Sequence, residues 1–171
     1  MNNFIEGKYI NLRDVELSDA EFIVNIRTNV KKTRFLHPTS GDVQQQVEYL
    51  RKYKTRDKEW YFIIMDKQNL PIGTVRIYDV KGDDFCWGSW LIIDDMPPQI
   101  ALESALLIYD YAFNVLGFNK AHFDVRKGNI QVQRFHEMFG AIKTSEDELD
   151  YFYKYDKNTY LEKLSKFQRM I

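Results

Sequence analysis

The chain is 171 residues long, the size of one domain, and at 44% hydrophobic and 15% aromatic it can fill a core without cross-links. Its 24 Lys and Arg stand against 25 Asp and Glu, so it lacks the basic surplus of a general nucleic-acid binder. The single cysteine, Cys86, can close no internal disulfide, MNNFIEGKYI has no basic stretch leading into a long apolar one, and no apolar run approaches the ~20 residues of a membrane span. The expectation is a cytoplasmic protein with neither a membrane nor a nucleic acid as partner.

With 8 Gly and 4 Pro thinly spread and no repeat, residues 1–171 read as a single domain. Tyr9–Val15 is a strand, and Ser18 and Asp19 cap a helix carrying Phe22, Ile23 and Ile26. A second helix runs from Asp42 to Tyr53, with Val43, Val47 and Leu50 on one face. Trp60–Met65 and Ile72–Val80 are strands split by a turn, and Phe85–Ile93 follows. The run FCWGSWLII has no polar alternation, which predicts a central strand covered on both faces.

After Asp94–Pro98 the apolar spacing predicts a helix over Gln99–Leu116, stopped by Gly117. Ala121–Val125 is a strand, Asn129–Phe139 a short helix ended by Gly140, and Ala141–Tyr155 one or two strands around the acidic turn Ser145–Asp150. A last helix covers Asn158–Arg169. The order β, α, α, β, β, β, α, β, α, β makes the fold α+β, antiparallel first and then crossing over by helix.

That order, with GSWLII, PPQIALESALLIYDYAFNVLGFNKAHFDV and GNIQVQRFHEMFGA, resembles the GNAT superfamily of acyl-CoA-dependent N-acetyltransferases over nearly the whole chain. INLRDVELSDAEFIVNIRTN and YAFNVLGFNK look most like the subgroup of ribosomal-protein N-terminal and nucleotide-amino-sugar acetyltransferases. FHEMFGA and the tail DYFYKYDKNTYLEKLSKF look more like its sugar-modifying branch. The resemblance implies the GNAT fold: a mixed, mostly antiparallel sheet flanked by helices and splayed between its fourth and fifth strands, Phe85–Ile93 and Ala121–Val125. Acetyl-CoA, as co-substrate, inserts its pantetheine there, beside Leu91, Ile92 and Ile93.

A CoA pyrophosphate suits a helix N-terminus, whose amides are unpaired and carry a partial positive charge of ~0.5. The helix beginning with Pro98, Gln99, Ile100, Ala101 and Leu102 has that place. The family's pattern there starts with Gln or Arg and has Gly three residues on. Met96–Ala101 lacks both, and Pro97 and Pro98 remove two donors while presetting φ for a helix start.

Asn129 is a helix cap, and by the resemblance it also hydrogen-bonds CoA, with Phe135 packed beside the cofactor. His136 stands where the family usually has a Tyr that protonates the leaving thiolate. An imidazole of ordinary pKa ~6.5 could do this, and the seven-residue spacing puts Asn129 and His136 on one helix face. A locally bonded, partly buried histidine is the competing reading.

Asp79, Asp84 and Glu103 are candidate bases, but Asp79 and Asp84 read foremost as turn residues and Glu103 as a partner of the helix dipole, so none is assigned the role. Backbone N–H groups near Trp90–Ile92 are expected to meet the oxyanion.

Arg27, Lys31, Lys32 and Arg34 form a basic run with His37 close behind: a solvated surface, or, as the resemblance implies for Arg27, a wall of the acceptor site fit for a diphosphate. Tyr78 and Trp87 suit stacking on a base or sugar, or core packing. No metal site is expected.

The expected activity is acetyl transfer to a small-molecule primary amine, foremost that of a nucleotide-linked aminodeoxy sugar, by a monomer or homodimer. A protein N-terminus or another small amine as acceptor, and a CoA-binding scaffold without catalysis, are the alternatives.

Overall fold

A computed structural model describes residues 2–29, 35 and 40–171. Strands β1 (Phe4–Glu6), β2 (Ile10–Asp14), β3 (Trp60–Asp66), β4 (Pro71–Lys81), β5 (Asp84–Ile92), β6 (Lys120–Arg126), β7 (Ile142–Glu146) and β8 (Asp150–Asp156) form one sheet in the order β1-β2-β3-β4-β5-β6-β8-β7. All neighbours are antiparallel except β5 and β6. The described helices are α1 (Ala20–Thr28), α2 (Val43–Tyr53), α3 (Pro98–Asp110), α4 (Ile130–Phe139) and α5 (Lys157–Gln168). This is the α+β, mixed-sheet architecture expected from the sequence.

β3 is the strand buried on both faces. Phe62 and Ile64 enter the core beneath α3, while Tyr61, Ile63 and Met65 pack with Ile23 of α1 and Leu50 of α2. In β5 only Phe85, Cys86, Trp87 and Leu91 are buried, while Gly88, Ser89 and Trp90 are half-buried. The missing polar alternation of FCWGSWLII thus has a different cause from the expected two-sided cover: the middle of the strand borders a cavity. The larger core centres on fully buried Tyr109 of α3, whose ring lies 4.7 Å from Tyr155 and 5.4 Å from Trp87, and whose hydroxyl accepts from Trp87 Nε1 at 3.1 Å.

Three local readings change. β1 escaped the sequence reading because three residues are too few to show a period. The helix expected to run to Leu116 stays α-helical only to Asp110, then widens over Tyr111–Val115, with Leu116 N–H bonding the Tyr111 carbonyl at 2.9 Å before Gly117 turns the chain at φ 82°. Asp19, expected to cap α1, instead accepts both ends of the Arg13 guanidinium at 2.7 Å and the Glu16 amide at 2.7 Å.

Glu103, read as a partner of the helix dipole, is buried one turn into α3. Its carboxylate accepts the backbone N–H groups of Lys8 (2.5 Å), Tyr9 (2.8 Å) and Ile10 (2.9 Å). Gly7 lies so close that an added Cβ would meet the Ile10 carbonyl at 2.7 Å and the Glu103 Cδ at 2.9 Å. Glu103→Gln should destabilise the fold by about 2–3 kcal/mol, because its NH2 would face a backbone amide where a carboxylate oxygen accepted one. A lower urea midpoint at unchanged slope checks this, and an unaltered midpoint refutes it.

Candidate functional site

Two features of β5 open the sheet. Its antiparallel ladder to β4 runs Thr74↔Leu91 and then Arg76↔Gly88, so Val75 faces two residues, Ser89 and Trp90, with Ser89 at φ 48°. That is a β-bulge, which bends and twists the strand. The parallel ladder to β6 covers only Asp84–Cys86 against Lys120–His122, and beyond it β6 continues to pair with β8 alone. The Ile93 amide bonds the Ile72 carbonyl of β4 at 2.9 Å, so by alternation the backbone of Ile92 is directed the other way, toward the gap.

A cavity of about 430 Å³ occupies this opening. It brings together five of the residues singled out from sequence: Arg27, Tyr78, Trp87, Asn129 and His136. It also gathers Trp90, from the backbone stretch expected to meet the oxyanion, and Arg76, Ser89 and Asp124, which sequence reasoning missed. Nothing marked Arg76 beforehand, since its importance comes from register opposite Gly88. An added Cβ at Gly88 would meet the Tyr78 hydroxyl at 2.7 Å, so glycine there keeps the cavity floor open.

Leu91, Ile92, Ile93, Phe135 and the start of α3 do not line this cavity. Leu91, Ile92 and Ile93 continue β5 along the diverging edge, and Phe135 packs on Trp90 with ring centres 4.9 Å apart. α3 begins with Pro97 as N-cap, which has no side chain to accept from the first-turn amides. Pro98 and Gln99 are exposed, Ile100 and Leu102 buried, and Ala101 lies between. Ser104, one turn on, accepts from Trp90 Nε1 at 2.9 Å and so ties the helix to the edge of the opening. His37, Lys31, Lys32 and Arg34 lie outside the described residues.

Asn129 caps α4, its side chain accepting from the Val132 amide at 3.4 Å, and the two-turn spacing does bring it and His136 to the same cavity. His136 is 5% exposed and set among Trp87, Trp90, Phe123 and Phe135, with the Phe123 ring centre 4.1 Å away. Its Nδ1 is buried without a partner, and burial lowers its pKa to about 3. The ring is therefore neutral at physiological pH, in place of the partly protonated imidazole that the sequence reading assumed. Trp87 is likewise buried, and its Nε1 is spent on Tyr109.

Asp79 and Asp84, read as turn residues, flank His122, whose Nε2 and Nδ1 lie 2.9 and 2.7 Å from their carboxylates. Asp124 is the one carboxylate among the cavity's described lining residues. Burial pushes the Cys86 thiol up to about 12. Among the described residues no group of three or more His, Cys, Asp or Glu is placed to hold a metal ion, and no helix is long and apolar enough to cross a membrane.

A mixed sheet parted between parallel strands, with a helix N-terminus at the parted edge and a cavity in the opening, is the arrangement that the resemblance to acyl-CoA-dependent transferases implied. Residues 10–142 match the acetyltransferase (GNAT) domain family, and the chain belongs to it: it is an acetyltransferase whose acetyl donor is acetyl-CoA. Among solved structures it is similar to apo FdhC, a nucleotide-linked sugar GNAT, at 40% identity and a TM-score of 0.89, covering 99% of this chain and 98% of that one. It shares its fold with a spermidine N-acetyltransferase from Vibrio cholerae in complex with CoA and spermine (19% identity, TM-score 0.81, covering 91% and 99%). A GCN5-related N-acetyltransferase from Brucella melitensis also shares the fold (16% identity, TM-score 0.83, covering 99% and 85%). No curated protein matches the chain.

Burial of the neutral His136 ring ties stability to pH. Unfolded, the ring takes up a proton near its ordinary 6.5, while folded it resists until about 3, so acidification through that window favours the unfolded chain. The folded state should lose about 1.4 kcal/mol per pH unit between these values from this residue alone. His136→Phe should flatten the dependence of stability on pH between 6 and 4 relative to the parent. Parallel curves for the two proteins would contradict this.

Proposed function

We propose that this acetyltransferase modifies the primary amine of a nucleotide-linked aminodeoxy sugar, by direct attack within a ternary complex. The observation that carries the reading is the end-to-end similarity to a nucleotide-linked sugar GNAT at 40% identity. A cavity that sets the Arg27 guanidinium and the Asp124 carboxylate in one opening suits an acceptor with both a cationic amine and an anionic diphosphate.

Bound acetyl-CoA supplies a thioester carbonyl as electrophile and a thiol as leaving group. The N-terminus of α3 would meet its anionic end, foremost through the Gln99 amide, since the Ile100 amide already bonds the Pro97 carbonyl at 3.0 Å, with Pro97 and Pro98 holding the turn in a helix-starting conformation. Leu91, Ile92 and Ile93 would receive the pantetheine along the parted edge of β5, and Asn129 and Phe135 would close the α4 side. The Ile92 backbone, turned toward the gap, would face the thioester oxygen.

Asp124 would accept the proton that the amine must shed, directly or through water. His136 would donate a hydrogen bond from a neutral ring to the departing sulfur rather than act as an imidazolium. Cys86, with its raised thiol pKa, is a poor covalent carrier at neutral pH, which favours direct attack.

A thiol-release assay on nucleotide-linked aminodeoxy sugars, polyamines and peptide N-termini tests the acceptor: turnover should be fastest with the nucleotide-linked sugars. Preference for either other class would refute the assignment, and no turnover with any of the three would leave a CoA-binding scaffold. His136→Phe should lower kcat by about 100-fold while KM for acetyl-CoA changes little. Equal rates would remove His136 from the chemistry. Arg27→Ala should raise KM for the nucleotide-linked sugar by about tenfold and leave simple amines unaffected.

A further inference from the structure

Arg76 occupies an unusual position for a cation. It projects from β4 opposite Gly88, at the bulge, and its guanidinium carbon lies 5.0 Å from the ring centre of Tyr78, 5.3 Å from Tyr61, 5.7 Å from Tyr53 and 5.9 Å from Tyr49. The aromatic faces stabilise the charge and fix the plane of the fork. The only carboxylate paired with it among the described residues is Glu59, at 3.3 Å, and Glu59 is shared with Arg56 at 3.4 Å. One carboxylate thus serves two guanidinium groups.

Arg27, on the last turn of α1, has no ion pair with a described residue. Arg27 and Arg76 line both the 430 Å³ cavity and a smaller one of about 140 Å³ that also touches Gln46, Tyr49 and Tyr61. Arg76 Nε is buried without a hydrogen-bond partner. The wall of the opening formed by α1 and β4 therefore carries more positive charge than its own carboxylate neutralises, presented by a rigid fork on one side and a helical side chain on the other.

We propose that Arg76 is a specificity-determining residue, which with Arg27 clamps the diphosphate of the acceptor and holds Glu59 as a resident counter-charge. This inference rests on the reading of the acceptor as nucleotide-linked and identifies what selects it. Two guanidinium groups offer the paired, charge-assisted donors that a diphosphate accepts, and the same pair repels a polyamine. Because the tyrosine cage fixes the fork before the ligand arrives, less side-chain freedom is lost on binding than with a lysine. Glu59 competes with the diphosphate for Arg76, so removing its charge strengthens the clamp, a sign that a merely structural Glu59–Arg76 pair would not give.

Isothermal titration of the intact protein with uridine diphosphate and thymidine diphosphate, and separately with acetyl-CoA, tests this. Arg76→Gln should weaken the better-bound nucleoside diphosphate by about tenfold or more while acetyl-CoA affinity stays within about twofold, and Glu59→Gln should tighten it by a few-fold. Arg76→Lys should fall near Arg76→Gln, since an ammonium keeps the charge and loses the fork. Should Arg76→Gln fail to fold, the Glu59→Gln result decides: unchanged or weaker diphosphate binding overturns the proposal. Equal affinity of Arg76→Gln and parent also overturns it. A parent that acetylates nucleotide-linked sugars while its Arg76 variants bind the diphosphate normally leaves the acceptor assignment standing and only the clamp refuted. A parent that neither binds a nucleoside diphosphate nor turns over such a sugar refutes both.

Discussion

The molecule is organised by an interruption. Val75 on β4 faces two residues of β5 in place of one, and the strand bends away from its parallel neighbour after only three register pairs with β6. A sheet that had continued zipping would have satisfied more backbone groups and left no room for a ligand. The bulge uses a non-glycine residue, Ser89, at positive φ, a conformation whose modest strain is tolerated where the surroundings impose it. Thr74, buried on the opposing strand, donates its hydroxyl to the Ser89 carbonyl at 2.7 Å and so helps to hold that geometry. The cavity and the direction of the Ile92 backbone both follow from this departure from regular pairing.

Around the interruption the core is stiff and aromatic. Tyr109, Phe113, Phe139, Tyr155 and Tyr160 surround one another beneath β5, β6 and β8, and α3 is pinned to the sheet by Trp87 on Tyr109 and by Trp90 on Ser104. Large rings in contact resist small displacements, because close-packed interiors yield in jumps rather than by gradual deformation. The opening is thus bounded by rigid walls, with the two-turn spacing of Asn129 and His136 on α4 setting one of them.

Most of the architecture was legible from periodicity and turn chemistry. The strands around the Asp66–Pro71 turn, the amphipathic helix after the double proline, the stop at Gly140 and the cap at Asn129 all announce themselves locally. What local signals could not carry were long-range partners. Glu103 looks like a dipole residue until the chain brings the amides of residues 8–10 to it from 93 to 95 positions away. Asp79 and Asp84 look like turn formers until β6 delivers His122 between them. His136 carried the right spacing, yet its charge state depended on four aromatic neighbours from β5, β6 and α4 that no window of sequence contains. Arg76 was invisible for the same reason: a lone arginine on a strand becomes notable only when tyrosines from α2, β3 and β4 are arranged around it.

The carboxylate of Glu103 joins two regions with different tasks. It organises the turn between β1 and β2, and it sits one turn inside the helix that starts beside the parted strands. Fraying of that edge hairpin and tilting of that helix are therefore coupled through one carboxylate. Any ligand that steadies the helix would by reciprocity slow hydrogen exchange at residues 8–10, so a distant, solvent-edge turn becomes a reporter of occupancy at the heart of the protein.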